Sequence, residues 1–453
     1  MERIGAWVIT AAQKVQGLVG GPFLAGCILL VGCYFTVGTG FFQIRRVRLW
    51  MRRTLGAILR SREVHDRRDP HTISQFQAVS TALAGTIGTG NIIGVATALV
   101  AGGPGSVFWM WISALLGMMT KFAENVLGNR YRYRNCRGEW VGGPMVYIQR
   151  GLGCHWMACL FCLFCVLASF GIGNMSQANS IAGALTATLQ IPPLLTGVVL
   201  CLLTGLVVLG GLRRLAGAAE KIVPFMAVFY TVGGLVIIAL HWRQLPQAIS
   251  AIVRGAFGLQ SAMGGVGGYA VSQAISSGVA RGIFSNEAGL GSSVIVSSSS
   301  NVAFPVQQGM WGIFEVFVDT ILVCTITALA ILCSGVLGSG KNGAALTVAA
   351  FSSGFGPLGG TFVSIAVCFF AFSAILGWYY YGQRSVEYLF GERGLPAYQI
   401  CFLAATVLGC AAKLEPVWAL SDTFNGLMAV PNLIALVLLS PQVFKITRDG
   451  LRK

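Results

Sequence analysis

ALAGTIGTGNIIGVATALVAGG, Ala82 to Gly103, is apolar enough to enter a bilayer, yet it holds Gly85, Gly88, Gly90 and Gly94 beside Thr86, Thr89 and Asn91. In a soluble chain such a glycine cluster would suggest a phosphate loop. In hydrocarbon, non-helical backbone survives only where protein buries it or where it lines a polar cavity, because unpaired amides and carbonyls are costly there. The stretch therefore predicts an interrupted membrane helix with a binding site at the interruption.

The rest of the chain agrees with a membrane setting. Its 453 residues are 55% hydrophobic and only 10% charged, with a mean hydropathy of +0.73, and apolar runs recur throughout, so residues 1–453 read as one membrane transport domain. Met1 to Gln16 is amphipathic and polar-flanked, unlike a cleavable signal peptide. The net charge of +16 would suggest nucleic acid in a soluble protein. Here it suggests cytoplasmic loops, with no nucleic-acid partner. Of the thirteen cysteines, Cys159, Cys162 and Cys165 have metal-site spacing but sit in CLFCLFCV without a polar shell, which fits small buried apolar side chains.

A span needs about 20 apolar residues. Eleven segments are expected, near 18–38, 74–101, 106–128, 156–187, 193–212, 222–240, 256–280, 308–336, 357–381, 397–412 and 422–441, giving an all-α polytopic membrane protein. With the N-terminus outside, 24 lysines and arginines fall on inward-facing segments and six on outward ones. The positive-inside rule then places the C-terminus in the cytoplasm.

The polar interruptions also have a pattern. Span two breaks at AGTIGTGN and span seven at Met263-Gly264-Gly265-Val266-Gly267-Gly268-Tyr269. Taking 18–38 as an extra N-terminal helix, these breaks open two five-span units, 74–240 and 256–441, of opposite orientation. Discontinuous helices at matching positions of inverted repeats point to a secondary transporter with its site at the midplane. Close helix packing through small residues is the plainer explanation of the same glycines.

A broken helix exposes amides at one half-helix start and carbonyls at the other half-helix end. The Gly88, Thr89 and Gly90 amides can face a carboxylate. The Ala84, Thr86 and Ile87 carbonyls and the Asn91 side chain can ligate sodium. Gln177, three residues from Asn174 on one helical face, is the expected substrate contact of GNMSQANS. Gly265, Gly268 and Tyr269 belong to the second break, and Ile87, Ile92, Tyr269 and Phe372 would limit the site's volume. Glu124, Glu315 and Asp319 are acids within spans, and intramembrane ionisable groups are functional candidates. Lys121 can pair with Glu124 or with the 315/319 pair. Arg281 and Glu287 flank the polar run SNEAGLG and are candidate gate partners. The four histidines lack metal-ligand spacing, and no Ser/His or paired-Asp motif suggests an enzyme.

Several blocks resemble the alanine or glycine:cation symporters: GGPGSVFWMWISALLG from Gly102 to Gly117, then KFAE, GGPM, GNMSQANS, GVARGIFSNEAGLGS, WGIFEVFVDT and GWYYYG, in the expected order over nearly the whole chain. The resemblance implies a leucine-transporter-like fold and sodium-coupled uptake of alanine or glycine across a bacterial or archaeal cell membrane. Gly88-Thr89-Gly90-Asn91 is similar to the unwound first helix of sodium:neurotransmitter symporters. That likeness implies a carboxylate on the Gly88–Gly90 backbone, and a sodium ion on the Ala84 and Ile87 carbonyls with a hydroxyl from Ser373. The chain departs from the family in reading Ser373-Ala374 for Ser-Thr, in having Gln383 where an acid is usual, and in lacking a basic residue in Ile275 to Gly278. The expected ligands are a small neutral amino acid and sodium as coupling ion, without an organic cofactor, in a lipid-embedded monomer. Proton coupling is the alternative within transporters, and a cation channel the alternative outside them.

Overall fold

The computed structural model describes residues 22–66, 72–258, 266–411 and 415–451. The helices that build the site are α1 (Pro22–Gly38), α2 (Gln75–Thr86), α3 (Ile93–Gly102), α4 (Gly105–Tyr131), α5 (Pro144–Leu152), α6 (His155–Phe170), α7 (Ser176–Leu189), α8 (Pro193–Val208), α9 (Gly211–Leu240), α10 (Leu245–Ala256), α11 (Val266–Asn286), α12 (Pro305–Val316), α13 (Thr325–Cys333), α14 (Gly343–Phe355), α15 (Leu358–Phe390), α16 (Leu395–Ala411) and α17 (Glu415–Leu451). Among the described residues, six helical stretches are long and apolar enough to cross a membrane. The protein is a multi-pass helical one.

The expected break is present. Ser74 starts α2 with reciprocal bonds: its hydroxyl accepts from the Gln77 amide at 3.1 Å while its own amide donates to Gln77 Oε1 at 3.3 Å. This pairing satisfies donors that a helix start leaves free. At the other end Ile87 turns extended (φ −76°, ψ 93°) and Gly88 follows (φ −130°, ψ −157°), before a 3₁₀ turn over Thr89–Asn91 leads into α3. Two π-helical turns interrupt other helices, Gly171–Met175 between α6 and α7 and Phe317–Cys324 between α12 and α13. Such turns concentrate at functional sites, and these two carry or adjoin Asn174, Gln177 and Asp319.

Glycines let the backbones meet around α4 and α2. A Cβ on Gly312 of α12 would lie 2.9 Å from the Lys121 carbonyl, and one on Gly278 of α11 would overlap the Ser106 carbonyl. Small residues permit this kind of approach between membrane helices. On α15, a Cβ at Gly377 would stand 2.6 Å from the Gly85 amide nitrogen. The long α15 is thereby held against the segment that breaks.

Several boundaries differ from the sequence expectation. Residues 245–256 form the separate amphipathic α10; the seventh span is described from Val266 onward, and Met263 to Gly265 lie outside the described residues. Gly268 and Tyr269 fall in the first turns of α11. The Gly/Ser-rich connection before the ninth span contains α14, whose apolar stretch is too short to register as a span. The expected 222–240 span starts at Gly211, with Pro224 accommodated inside α9. Among the described residues, β1 (Tyr133–Arg134) and β2 (Trp140–Val141) pair antiparallel as a hairpin between α4 and α5.

Candidate substrate and ion site

The break opens on a cavity of about 380 Å³. Gly85, Thr86, Gly88, Thr89 and Gly90 line it, Gln177 and Ser176 face them from α7, and Ser285, Arg281 and Glu287 close another side. Trp378 of α15 and Asp422 of α17 complete the wall, and the cavity extends along α3 to Ala101. Gln177 Oε1 accepts from the Thr89 hydroxyl at 3.1 Å and the Thr89 amide at 3.4 Å, while Nε2 donates to the Ile172 carbonyl exposed by the π turn. Asn174 and Asn179 instead donate to the Phe402 and Gly409 carbonyls of α16, which makes them helix-to-helix ties.

Asn91 sets the shape of the break. Its Oδ1 accepts from the Gly88 amide at 3.0 Å, and its Nδ2 donates to Asp319 Oδ1 at 2.7 Å and to the Asp319 carbonyl at 3.2 Å. Thr327 of α13 donates to the Asn91 carbonyl at 2.9 Å. The Gly88 amide expected to meet a carboxylate is thus bonded to Asn91, and the Asn91 oxygen expected as an ion ligand is the acceptor. No hydrogen bond of the described residues ends on the Ala84, Thr86 or Ile87 carbonyl. Neutral carbonyls left over at a helix end are the oxygen donors that small hard cations take. Ala84, Ile87 and Ser373 are buried; Ser373 donates to the Phe370 carbonyl at 2.9 Å, and Ala374 packs 3.4 Å from the Cβ position of Gly88. A methyl group occupies the place of the family's second hydroxyl.

Phe372 lies outside this cavity. It lines an apolar cleft with Ile181, Leu200 and Phe369. Ile92 is fully buried and forms no part of the lining. Asp422 stands at the expected edge of the eleventh span, where an acid looks like a boundary, so sequence alone does not single it out. Arg281 acts on it electrostatically, and both charges face the cavity.

Beside the break lies a buried charged cluster. Lys121, Glu124, Glu287, Glu315 and Asp319 are each at most 3% exposed. Glu124 Oε1 accepts from the Gly289 amide at 3.0 Å and Asn432 Nδ2 at 2.7 Å, and its Oε2 has no partner. Glu287, at a left-handed φ of +55°, accepts from Ser292. Glu315 accepts from Ser297 at 3.3 Å and Ser293 at 3.5 Å. Asp319 is the best-supplied acid, with the Ser285 hydroxyl at 2.8 Å and the Thr320 hydroxyl at 2.7 Å besides Asn91. Lys121 Nζ has no hydrogen-bond partner, so the expected local pair with Glu124 is not made. It interacts electrostatically with all four acids.

At its far end α15 meets the hairpin. Arg384 reaches Glu139 and Glu387, each at 2.6 Å, and Arg137 reaches Glu387 at 3.2 Å and Glu392 at 3.1 Å. Burial alone would push the Glu139 carboxyl up; the Arg384 guanidinium, helped by Asn135 and Arg137, more than offsets it and holds the group below its ordinary value.

Known proteins similar to this chain are membrane transporters. A transporter of unassigned substrate from Haemophilus influenzae is 46% identical over 435 residues, covering 94% of each chain. The sodium/alanine symporter AgcS of Methanococcus maripaludis is 42% identical, covering 97% of this chain and 96% of its own. The probable sodium/glutamine symporter GlnT of Bacillus subtilis is 39% identical, over 96% of this chain and 89% of its own. A crystal structure of a manganese transporter mutant from Eremococcus coleocola superposes with a TM-score of 0.53 at 17% identity, covering 82% of this chain and 78% of that one, a likeness of fold alone. Residues 6–453 match the profile of the Sodium:alanine symporter family, and the chain belongs to that family of membrane transporters.

Proposed function

We propose that the protein imports a small neutral amino acid, alanine or glycine, together with sodium, and that the interrupted α2–α3 segment binds both. The observation that carries this reading is the division of labour at the break: unaccepted carbonyls at Ala84, Thr86 and Ile87, and Gly88, Thr89 and Gly90 lining the cavity with Gln177, which accepts from the Thr89 amide and hydroxyl. The carbonyls take the cation, with Ser373 as neighbouring hydroxyl. The Thr89 and Gly90 amides and the Thr89 hydroxyl take the carboxylate, once substrate displaces Gln177 from Thr89, while Asn91 keeps the Gly88 amide and with it the shape of the break. Gln177 then turns its oxygen to the ammonium.

The wider arrangement follows the same reading. An extra helix precedes two inverted five-span units, with the N-terminus outside and the C-terminus in the cytoplasm of a prokaryotic cell, and a monomer suffices. Lys121, Glu124, Glu315 and Asp319 hold the inner half closed, with Arg281 and Glu287 at the cavity's edge. On this orientation the cavity runs outward along α3 to Ala101, so the conformation faces the outside. Larger neutral substrates such as glutamine are the second reading, favoured by a cavity of about 380 Å³, which lies in the range of sites for ligands larger than alanine.

Uptake into proteoliposomes tests the proposal. Alanine accumulation should follow an imposed sodium gradient and collapse when potassium replaces sodium. Equal uptake under a proton gradient alone would assign the coupling to protons, and currents without accumulation would assign a channel. Glutamine competing as well as alanine would select the second reading.

A further inference from the structure

The Lys121 cluster has a charge problem that the hydrogen bonds do not solve. Four carboxylates and one ammonium are buried together, and full ionisation would leave three negative charges uncompensated in a medium where unpaired charge is very costly. The donors are distributed unequally. Asp319 has Asn91, Ser285 and Thr320, whereas Glu287 has one hydroxyl and Glu124 leaves Oε2 empty. Lys121 Nζ, fully buried, is also unpartnered. Among the described residues, no three acidic, His or Cys side chains converge as metal ligands. The ligand that fits separated carboxylates of this kind is a proton.

We propose that Lys121, Glu124, Glu287 and Glu315 form a proton-binding site that opens to the substrate cavity at Glu287 and is linked to the sodium site through Asp319 and Asn91. The route runs through contacting residues: Glu287 lines the cavity, and Asp319 accepts from Asn91, which accepts from the Gly88 amide. The other titratable groups that act electrostatically on the cluster are Tyr147 on Glu124, Cys165 and Tyr381 on Glu287, Tyr381 also on Glu315, and Cys324 on Asp319. Arg281 lines the same cavity as Glu287 but acts on Asp422 across it, so that pair offsets itself and leaves the excess negative charge of the cluster in place. Sodium arriving at the break brings positive charge to this acidic region, favours the ionised carboxylates and expels a proton to the cavity water through Glu287.

The inference rests on the sodium-symport reading, and its test separates the two. Purified full-length protein in weakly buffered detergent solution with a pH-indicator dye is titrated with sodium chloride in the presence of alanine, while alanine binding is followed by calorimetry. Release of up to about one proton per protein on sodium binding is expected by linkage, with choline chloride giving none, and Glu287→Gln and Lys121→Met should each reduce it several-fold. Wild-type protein that binds sodium and alanine but releases no proton overturns the proton site and leaves symport intact; protein that binds neither overturns both. Undiminished release from a folded Glu287→Gln variant overturns the entry route. Should the variants not fold, infrared difference spectra of the wild type decide: a protonated-carboxyl band must lose intensity on sodium addition, and its absence refutes the proposal.

Discussion

Replacing Asn91 by alanine removes the side chain that fixes the break. Four bonds are lost: Gly88 amide to Oδ1 at 3.0 Å, and Nδ2 to the Asp319 carboxylate at 2.7 Å, to the Asp319 carbonyl at 3.2 Å and to Cys324 Sγ at 3.3 Å. A hydrogen bond to a charged group contributes about 1.5–3 kcal/mol and a neutral one about 0.5–1.5 kcal/mol. Because the two Nδ2 protons are shared among three acceptors, the total lies at the low end of the sum, about 3 kcal/mol. Most of this loss bears on a few residues between two intact helices, so it appears chiefly as conformational freedom of the break. If the binding-competent shape falls to about one molecule in a hundred, apparent affinity for sodium and for alanine should each fall about a hundredfold. Sodium dependence of alanine uptake in proteoliposomes reads the first, and calorimetry on purified protein reads the second. A folded variant whose half-saturating sodium concentration moves less than about threefold would refute the reasoning, because a 3 kcal/mol constraint cannot vanish so quietly.

Two other perturbations probe the frame around the site. Gly377→Ala places a methyl carbon 2.6 Å from the Gly85 amide nitrogen, where backbone stands on both sides; overpacking of this kind costs about 1–3 kcal/mol, and a lowered melting temperature with weakened sodium affinity is expected. Wild-type behaviour in both assays would show that α15 does not clamp the break. Arg384→Ala leaves Glu139 without its ion-pair partner and Glu387 with Arg137 alone, a loss of about 2–3 kcal/mol for a network that is only partly buried, seen as a lower melting temperature in detergent. Because the folded Glu139 group is held below its ordinary value, its contribution is complete above the unfolded value and is lost as pH falls through the folded one. The gap between wild type and variant should therefore stay constant near neutrality and narrow below about pH 4; a gap that narrows at pH 6–7 would contradict the assignment.

Much of this architecture is readable from residue order, and the reason is physical. Glycines and side-chain amides in an apolar run cannot be explained by lipid contact, so AGTIGTGN announced its own break and Gln177 its cavity. Hydropathy is blind where a segment is amphipathic or short, which is why α10 and α14 did not register as helices. It also reports membrane depth, not direction. Phe372 has the right depth but turns to an apolar cleft, while Asp422 has a boundary position but turns inward. The partner of a side chain is harder still to foresee. Glu315 and Asp319 share a helix face by spacing, yet the π turn at Phe317 sends Asp319 to Asn91 and leaves Glu315 with the serines of 293 and 297. Lys121 next to Glu124 reads as a pair, but Glu124 is satisfied by Gly289 and Asn432 from two other segments.

The central claim is that one interrupted helix binds amino acid and sodium together. Calorimetric titration of alanine at several fixed sodium concentrations, repeated with sodium titrated at fixed alanine, measures this directly. Shared use of the Ala84–Asn91 segment predicts that each ligand tightens the other by the same factor, about tenfold or more, as linkage requires. Alanine affinity that stays constant from sodium-free buffer to saturating sodium would contradict it.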